Sequence, residues 1–265
     1  MTQSFLRTSD VAEAVGVHPN TVRMYEEWRF LPPIPRSAGN YRMFTEAHID
    51  QMRMARAILH WPYPGGKKLV VDLVRQAANG DLGGALEKAY IYLGRVKAEI
   101  AHAETSADLL EQWAAGMAVE STARALSMTE VAELLNVTKD AMRNWERNGL
   151  LTVPRNPKNN YRLYSAREIA RLRVIRMLRQ AGYSMMAILR MLLEFDEGHT
   201  ADLRKVLDTP RSDEDLYHVA DQWLSTLTDV ELRARKAIEI LHEMIRKQQH
   251  DSAAKDASDS SLRKP

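Results

Sequence analysis

Two short strips in this chain set an arginine among aromatic and apolar neighbours: Asn40-Tyr41-Arg42-Met43-Phe44 and Asn160-Tyr161-Arg162-Leu163-Tyr164. A guanidinium is a permanent cation with five donors in a rigid fork, suited to phosphate oxygens, and a neighbouring tyrosine adds a hydroxyl donor. The strips lie 120 residues apart, and that offset holds without a gap from Val11/Val131 to Ile58/Leu178. Within those limits it repeats Arg23/Arg143, Glu26/Glu146, Arg53/Arg173 and Arg56/Arg176, together with Val17/Val137, Leu31/Leu151 and Ile49/Ile169. Repetition at a fixed offset marks a duplicated structural unit. A duplicated core alone would repeat mainly apolar residues, so the repeated arginines say that a surface task was duplicated as well.

The rest of the reactive inventory is thin. The chain has no cysteine, which excludes disulfides, thiolate metal sites and cysteine redox sensing. Its eight histidines are scattered and none reads as paired with an acidic neighbour at ligand spacing, so no metal and no other cofactor is expected. No nucleophile-base pair, phosphate-binding glycine loop or paired-carboxylate site stands out. Gly65-Gly66 and Gly83-Gly84 read as helix connections, so an enzyme is not expected. The net charge is only +2, so a polyanionic partner must be held by locally concentrated cations. With 45% hydrophobic and 27% charged residues the chain reads as soluble and globular, and no apolar run approaches the roughly 18 to 20 residues of a membrane span. The segment Met1-Thr2-Gln3-Ser4 opens without an apolar signal region. Cytoplasmic residence without a membrane partner is therefore the expectation.

The elements that must position the arginines follow from caps and periodicity. A short helix is expected from Thr8 to Val15 with Ser9 as N-cap, stopped by Gly16, and Pro19 opens a second to Glu27. The second copy repeats this with Ser127 and Thr129 as candidate caps, Asn136 at the turn and Thr138 capping Lys139 to Arg147. This is helix-turn-helix spacing. Polar or proline-rich loops, 31–40 and 151–160, lead into the aromatic-arginine strips, whose alternation suggests a short hairpin or wing. Third helices are expected at about 45–60 and 165–180, and fourth helices at about 67–78 and 185–194. Each unit is followed by a long helix with heptad periodicity: Leu86, Leu93, Ile100, Ala107 and Ala114 interleaved with Ala89, Val96, Ala103, Leu110 and Met117, then Ala220, Leu227, Ala234 and Leu241 interleaved with Trp223, Val230, Ala237 and Met244.

The expected fold is mainly α: two winged helix-turn-helix domains, each followed by a long coiled-coil helix. The layout is a first domain at 5–80, a coiled-coil helix and linker at 81–120, a second domain at 126–198, a connector at 199–215, a second coiled-coil helix at 216–249 and a disordered polar tail at 250–265.

Several strings together are specific. Met128-Thr129-Glu130-Val131-Ala132, Met142-Arg143-Asn144-Trp145-Glu146, Asn148-Gly149-Leu150-Leu151, the Asn160 to Tyr164 strip and Gly182-Tyr183-Ser184 resemble the MerR family of bacterial transcription regulators. The first copy resembles the same family through Val22-Arg23-Met24-Tyr25-Glu26 and the Asn40 to Phe44 strip. It departs at Trp28-Arg29-Phe30, where the family usually has a glycine, and at Trp61 to Gly66. The resemblance implies that the second helix of each unit enters the major groove while the wing touches flanking backbone or minor groove. Arg23, Tyr25 and Arg42, with Arg143, Trp145 and Arg162, are then assigned to backbone anchoring. His18, Asn20 and Thr21, with Lys139, Asp140 and Asn144, are assigned to base contact. Arg36, Arg155 and Lys158 add phosphate contacts from the loops. Tyr41 and Tyr161 suit wing packing as well as DNA contact, and Trp145 suits a core position as well as an anchor. Arg53, Arg56, Arg173 and Arg176 read as a solvated face of the third helices, and the heptad stripes as a pairing seam.

The resemblance further implies a sequence-specific regulator whose partners are double-stranded promoter DNA and RNA polymerase holoenzyme, acting by distorting a promoter spacer so that polymerase engages both elements. Family members are usually homodimers with an antiparallel coiled coil. Here one chain carries two of each part, which favours an intramolecular pseudo-dimer over a homodimer, and the unlike readers point to an asymmetric site. The alternative is an architectural, excisionase-like DNA-bending accessory factor. Sensors of the family often carry cysteines or a ligand domain after the long helix, and only a polar tail follows it here. A small effector is left unidentified, with the coil ends near Trp113 and Trp223 as a place it would lodge or where those side chains simply pack.

Overall fold

The computed structural model describes residues 5–116, 124–209 and 222–262, with side chains described to residue 254. Among the described residues the backbone is mainly α-helical, and its β structure is confined to isolated bridges. The chain divides into two compact units: residues 1–97 with 229–265, and 98–228.

In the first unit, α1 (Thr8–Ala14) and α2 (Pro19–Glu27) form the helix-turn-helix, followed by α3 (Glu46–Ile58) and α4 (Lys67–Ala78). The N-cap of α1 is Arg7 instead of Ser9, because the Asp10 carboxylate accepts the Arg7 backbone N–H at 2.8 Å. Proline at the first position of α2 gives up no helical bond, and His18 Nδ1 accepts the Asn20 N–H at 3.2 Å. Val11, Val22, Leu31, Phe44, Ile49 and Met52 close the core. The exposed arginines of α3 have partners: Arg53 donates to the Ala14 carbonyl at 3.4 Å and Arg56 to that of Val15. They complement the carbonyl end of α1 and tie α3 to it, where a purely solvated face was expected.

The second unit repeats the plan with α6 (Met128–Leu134), α7 (Lys139–Arg147), α8 (Ala166–Gln180) and α9 (Met185–Asp196). Its caps match the sequence. Glu130 accepts the Ser127 N–H at 2.8 Å, while Thr138 Oγ1 accepts the Ala141 N–H at 3.1 Å. That bond from the Ser127 backbone, with help from Arg124 and the Ser127 hydroxyl, pulls the Glu130 carboxyl down to about 2. The short helix α10 (Leu203–Leu207) lies in the stretch expected as a plain connector, and buried Arg190 of α9 donates to the Val206 carbonyl at 2.9 Å. Leu203 and Leu207 are fully buried, a burial worth about 1.5–3 kcal/mol for each side chain, which explains why this segment folds onto α9.

The long helices are α5 (Leu82–Ala114) and α11 (Trp223–Leu262). Inside the first unit they pair antiparallel: Leu82 shares a pocket with Met244 and Gln248, Tyr90 bonds His242 at 3.1 Å, and Tyr92 lies with Val230 and Ala234. Inside the second unit Trp223 Nε1 donates to the Ala181 carbonyl at 2.7 Å, and Gly182, at φ +96, leaves room for the indole. A Cβ at Gly182 would meet Trp223 Nε1 at 2.5 Å. Seam positions Ala89, Val96, Ala103, Ala107, Leu110, Leu227, Val230, Ala234, Ala237 and Leu241 are buried. The seam residues Met117 and Ala220, the 117–123 linker and the 210–221 stretch lie outside the described residues. The tail from 250, expected to be disordered, continues α11 as helix to Leu262.

Candidate nucleic-acid interface

Each unit builds the same groove from the same three parts. In the first, the start of α1, the solvent edge of α2 and the wing enclose about 710 Å³, lined by Thr8, Ser9, Arg23, Tyr41, Arg42 and Met43 among others. In the second, Met128, Thr129, Arg143, Tyr161, Arg162 and Leu163 line about 450 Å³ at the matching positions. The short hairpin or wing expected in each unit closes through a single bridge, Arg36 with Arg42 and Arg155 with Arg162. Asn40 and Asn160 take positive φ of 63° and 58° at the wing tips, a conformation that short polar side chains tolerate. Tyr41 and Tyr161 then stand out at 78% and 73% exposed, which rejects wing packing as their role.

The wing arginines are held from behind. Arg42 Nε lies 2.6 Å from Glu26 and Arg162 Nε 2.8 Å from Glu146, while Arg36 approaches Glu26 at 3.7 Å. One carboxylate on α2 or α7 thus ties the wing to that helix in each unit. Nε is the bonded atom in both, and both arginines also line the groove. Glu26 and Glu146 were missing from the expected site. Their signal was present, since they recur in register with Arg42 and Arg162, but a pair 16 residues apart closes only once the loop folds.

On α2, Asn20, Arg23 and the cap His18 are exposed, with Arg23 Nη1 donating to Asn20 Oδ1 at 2.7 Å; Thr21 is half-buried. Tyr25 does not fit an anchoring role. It packs against the core and against Trp28 and Phe30 at 6.2 and 5.7 Å between ring centroids, and burial raises its hydroxyl above the usual range. On α7, Lys139, Asp140 and Arg143 are exposed, and Arg143 Nη1 lies 2.7 Å from Asp140 Oδ1. Asn144 is half-buried, with Nδ2 3.8 Å from Met185 Sδ and its Oδ1 accepting from Asn148 at 3.1 Å. Trp145 is a core residue, 7% exposed and packed in one cluster with Met142 and Leu150. The helical period explains it: Trp145 lies three positions after buried Met142, on the face opposite the groove. Arg155 donates to the Asn160 carbonyl at 3.2 Å and Lys158 is exposed beside it.

The outer edges of α2 and α7 differ. Met24, Glu27 and Trp28 of the first stand where the second has Asn144, Arg147 and Asn148. Arg29 takes φ 58° where the second unit has Gly149 at 78°, so the backbone of the departing copy follows the same path without the glycine. Away from both grooves, His199 Nδ1 lies 2.9 Å from Glu194 and 3.6 Å from Glu197. This pairing of a histidine with acidic neighbours corrects the reading of the histidines as wholly scattered; Glu197 and His199 are solvent-exposed.

No described helix is long and apolar enough to cross a membrane. The model of the MerR HTH family of regulatory proteins matches residues 6–60 and 126–194, the two helix-turn-helix units. The chain is similar to the HTH-type transcriptional regulator CueR of Escherichia coli O157:H7, 29% identical over 107 residues, which is 38% of this chain and 79% of that one. It is similar also to the mercuric resistance operon regulatory protein of Bacillus cereus, 30% identical over 97 residues, 34% of this chain and 74% of the relative. No solved structure matches the chain. The matched segments carry both grooves, and the chain therefore belongs to the MerR family of DNA-binding transcription regulators, with two of the family's domains in tandem.

Proposed function

We propose that one chain reads an asymmetric site in double-stranded promoter DNA with both readers, as a monomeric pseudo-dimer, and distorts the promoter spacer so that RNA polymerase holoenzyme engages it. The observation that carries this reading is the recurrence of one groove, with arginine, tyrosine and arginine at matching positions, in two units whose second helices carry different outer residues. Arg23, Arg42, Arg143 and Arg162, with Arg36, Arg155 and Lys158 behind them, supply phosphate contacts, and Tyr41 and Tyr161 reach the backbone beside the wing. Base contact falls to His18, Asn20 and Thr21 on one side and to Lys139, Asp140 and Asn144 on the other. The antiparallel pairing of α5 with α11 inside the first unit supports the single-chain arrangement, because it occupies the seam that a second chain would use. A protein with this task works in the compartment that holds the chromosome.

Selection of bound sequences from random duplex DNA, by purified protein at stated salt, tests the proposal. Two unlike half-sites at one fixed spacing are expected. A palindrome counts against the pseudo-dimer, and the absence of any enriched sequence points to a bending accessory factor. Against the selected site, Arg143→Ala should weaken binding and lower the salt slope by about 1, as expected for one lost phosphate contact.

A further inference from the structure

The first unit holds a cavity of about 330 Å³ where α11 passes the start of α3 and the end of α4. Its apolar floor includes buried Ala77, Ala78 and Leu82, with Met244 beside them, and it is of the size that takes a small organic molecule. Three carboxylates also line it, Glu46, Asp50 and Asp251, against a single ammonium, Lys247. Asp50 is the deepest of the charged groups, with a side chain only 10% exposed, and Lys247 Nζ reaches it at 2.5 Å from the solvent side. A concave apolar wall carrying surplus negative charge focuses its field on a cation.

We propose that this cavity is a binding site for an organic cation, an ammonium on an apolar body, which competes with Lys247 for Asp50. Lys247 is the built-in model of the ligand: four methylenes and an ammonium delivered from α11 along the cavity wall. A free alkylammonium of the same shape offers Asp50 the same ion pair, and its larger apolar body covers the floor that Lys247 leaves open. The competition has a structural readout. Asp50 Oδ1 lies 3.7 Å from Arg53 Nη1, and Arg53 Nη2 donates to the Ala14 carbonyl at the end of α1. The ion pair between Lys247 and Asp50 therefore ties α11 to α3, and through Arg53 to the end of α1, so that displacing Lys247 loosens α11 against the helix-turn-helix. This regulatory consequence rests on the DNA-reading proposal, whereas the binding site does not.

The test is isothermal titration of the full chain, without DNA, with 4-phenylbutylammonium and with 4-phenylbutanoate, which has the same body and the opposite charge. Saturable binding of the ammonium and none of the carboxylate is expected. Asp50→Asn should weaken the ammonium by at least about tenfold, and Lys247→Met, which removes the tethered competitor, should tighten it by about tenfold. Should Asp50→Asn fail to fold, judged by circular dichroism, the exposed Glu46→Gln supplies the same test with a smaller loss. Absence of saturable binding in both the parent and Lys247→Met overturns the site, as does equal affinity for the carboxylate or an unchanged affinity in Asp50→Asn and Glu46→Gln. Affinity for the selected DNA is then measured with and without saturating ammonium. A change in the parent that is absent in Lys247→Met supports this tie, and no change in the parent overturns it while the binding result stands on its own.

Discussion

Arg42 and Arg162 do two jobs with one group. Each puts Nε on the carboxylate of the preceding helix, Glu26 or Glu146, while the same side chain lines the groove, and its planar fork spreads the other donors away from that bond, whereas a lysine's three donors share one nitrogen. The same scale separates Trp145 from Tyr161. Trp145→Ala empties a core position and should cost roughly 3–5 kcal/mol in chemical denaturation. Tyr161→Ala, at a side chain 73% exposed, should leave stability within about 0.5 kcal/mol and weaken binding to the selected DNA about tenfold, read by fluorescence anisotropy. Equal stability losses for both would contradict their placement. Arg29, held at φ 58° without glycine's freedom, stores strain, so Arg29→Gly should raise stability by about 1 kcal/mol, seen as a higher urea midpoint. The repeated register made the arginines and tyrosines legible from sequence. It could not decide between anchor and core for Trp145, because an aromatic residue in a short amphipathic helix suits either until the partner helices are placed.

The third helices begin differently in the two units. In α8, Ser165 and Glu168 form a capping box of oxygen acceptors; in α3, Thr45 is followed at the same position by His48, whose Nδ1 accepts the Thr45 N–H at 3.0 Å. His48 is 5% exposed, and burial holds its pKa below the ordinary 6.5 against the opposing pull of the Pro33 and Thr45 backbone. The unfolded chain therefore takes up the proton first as pH falls. Stability is full above 6.5 and is lost as pH drops from there through the folded value. Urea midpoints measured down this range should fall in the parent and fall less in His48→Gln; parallel curves would remove His48 from the account. At this scale sequence served well where punctuation was strong, as at Pro19, Ser127 and Thr138. It failed for the tail, where polarity was taken for disorder: residues 223–262 contain neither glycine nor proline, and polar residues alone do not stop a helix. The short helix α10 escaped notice because five residues carry too little periodicity to register.

For the whole molecule, the proposed single-chain arrangement predicts one mass. Light scattering should give 30.2 kDa, unchanged on dilution, while twice that value at all concentrations would mean a homodimer. That the chain has two units was legible from the 120-residue offset. What joins α11 to the first unit was not, because Asp50 and Lys247 are 197 residues apart and neither recurs at the 120-residue offset, where Asp50 is matched by Ala170. The difference between the exposed edges of α2 and α7 has a consequence for descent. In a protein assembled from two copies of one chain, every mutation in the reader is imposed on both halves of its target, so a new target must change twice at once. Under the proposed single-chain reading, Asn20 and Asp140 are encoded separately, so one half of the target would drift under selection while the other stays fixed, and a lineage would change its regulon in single steps.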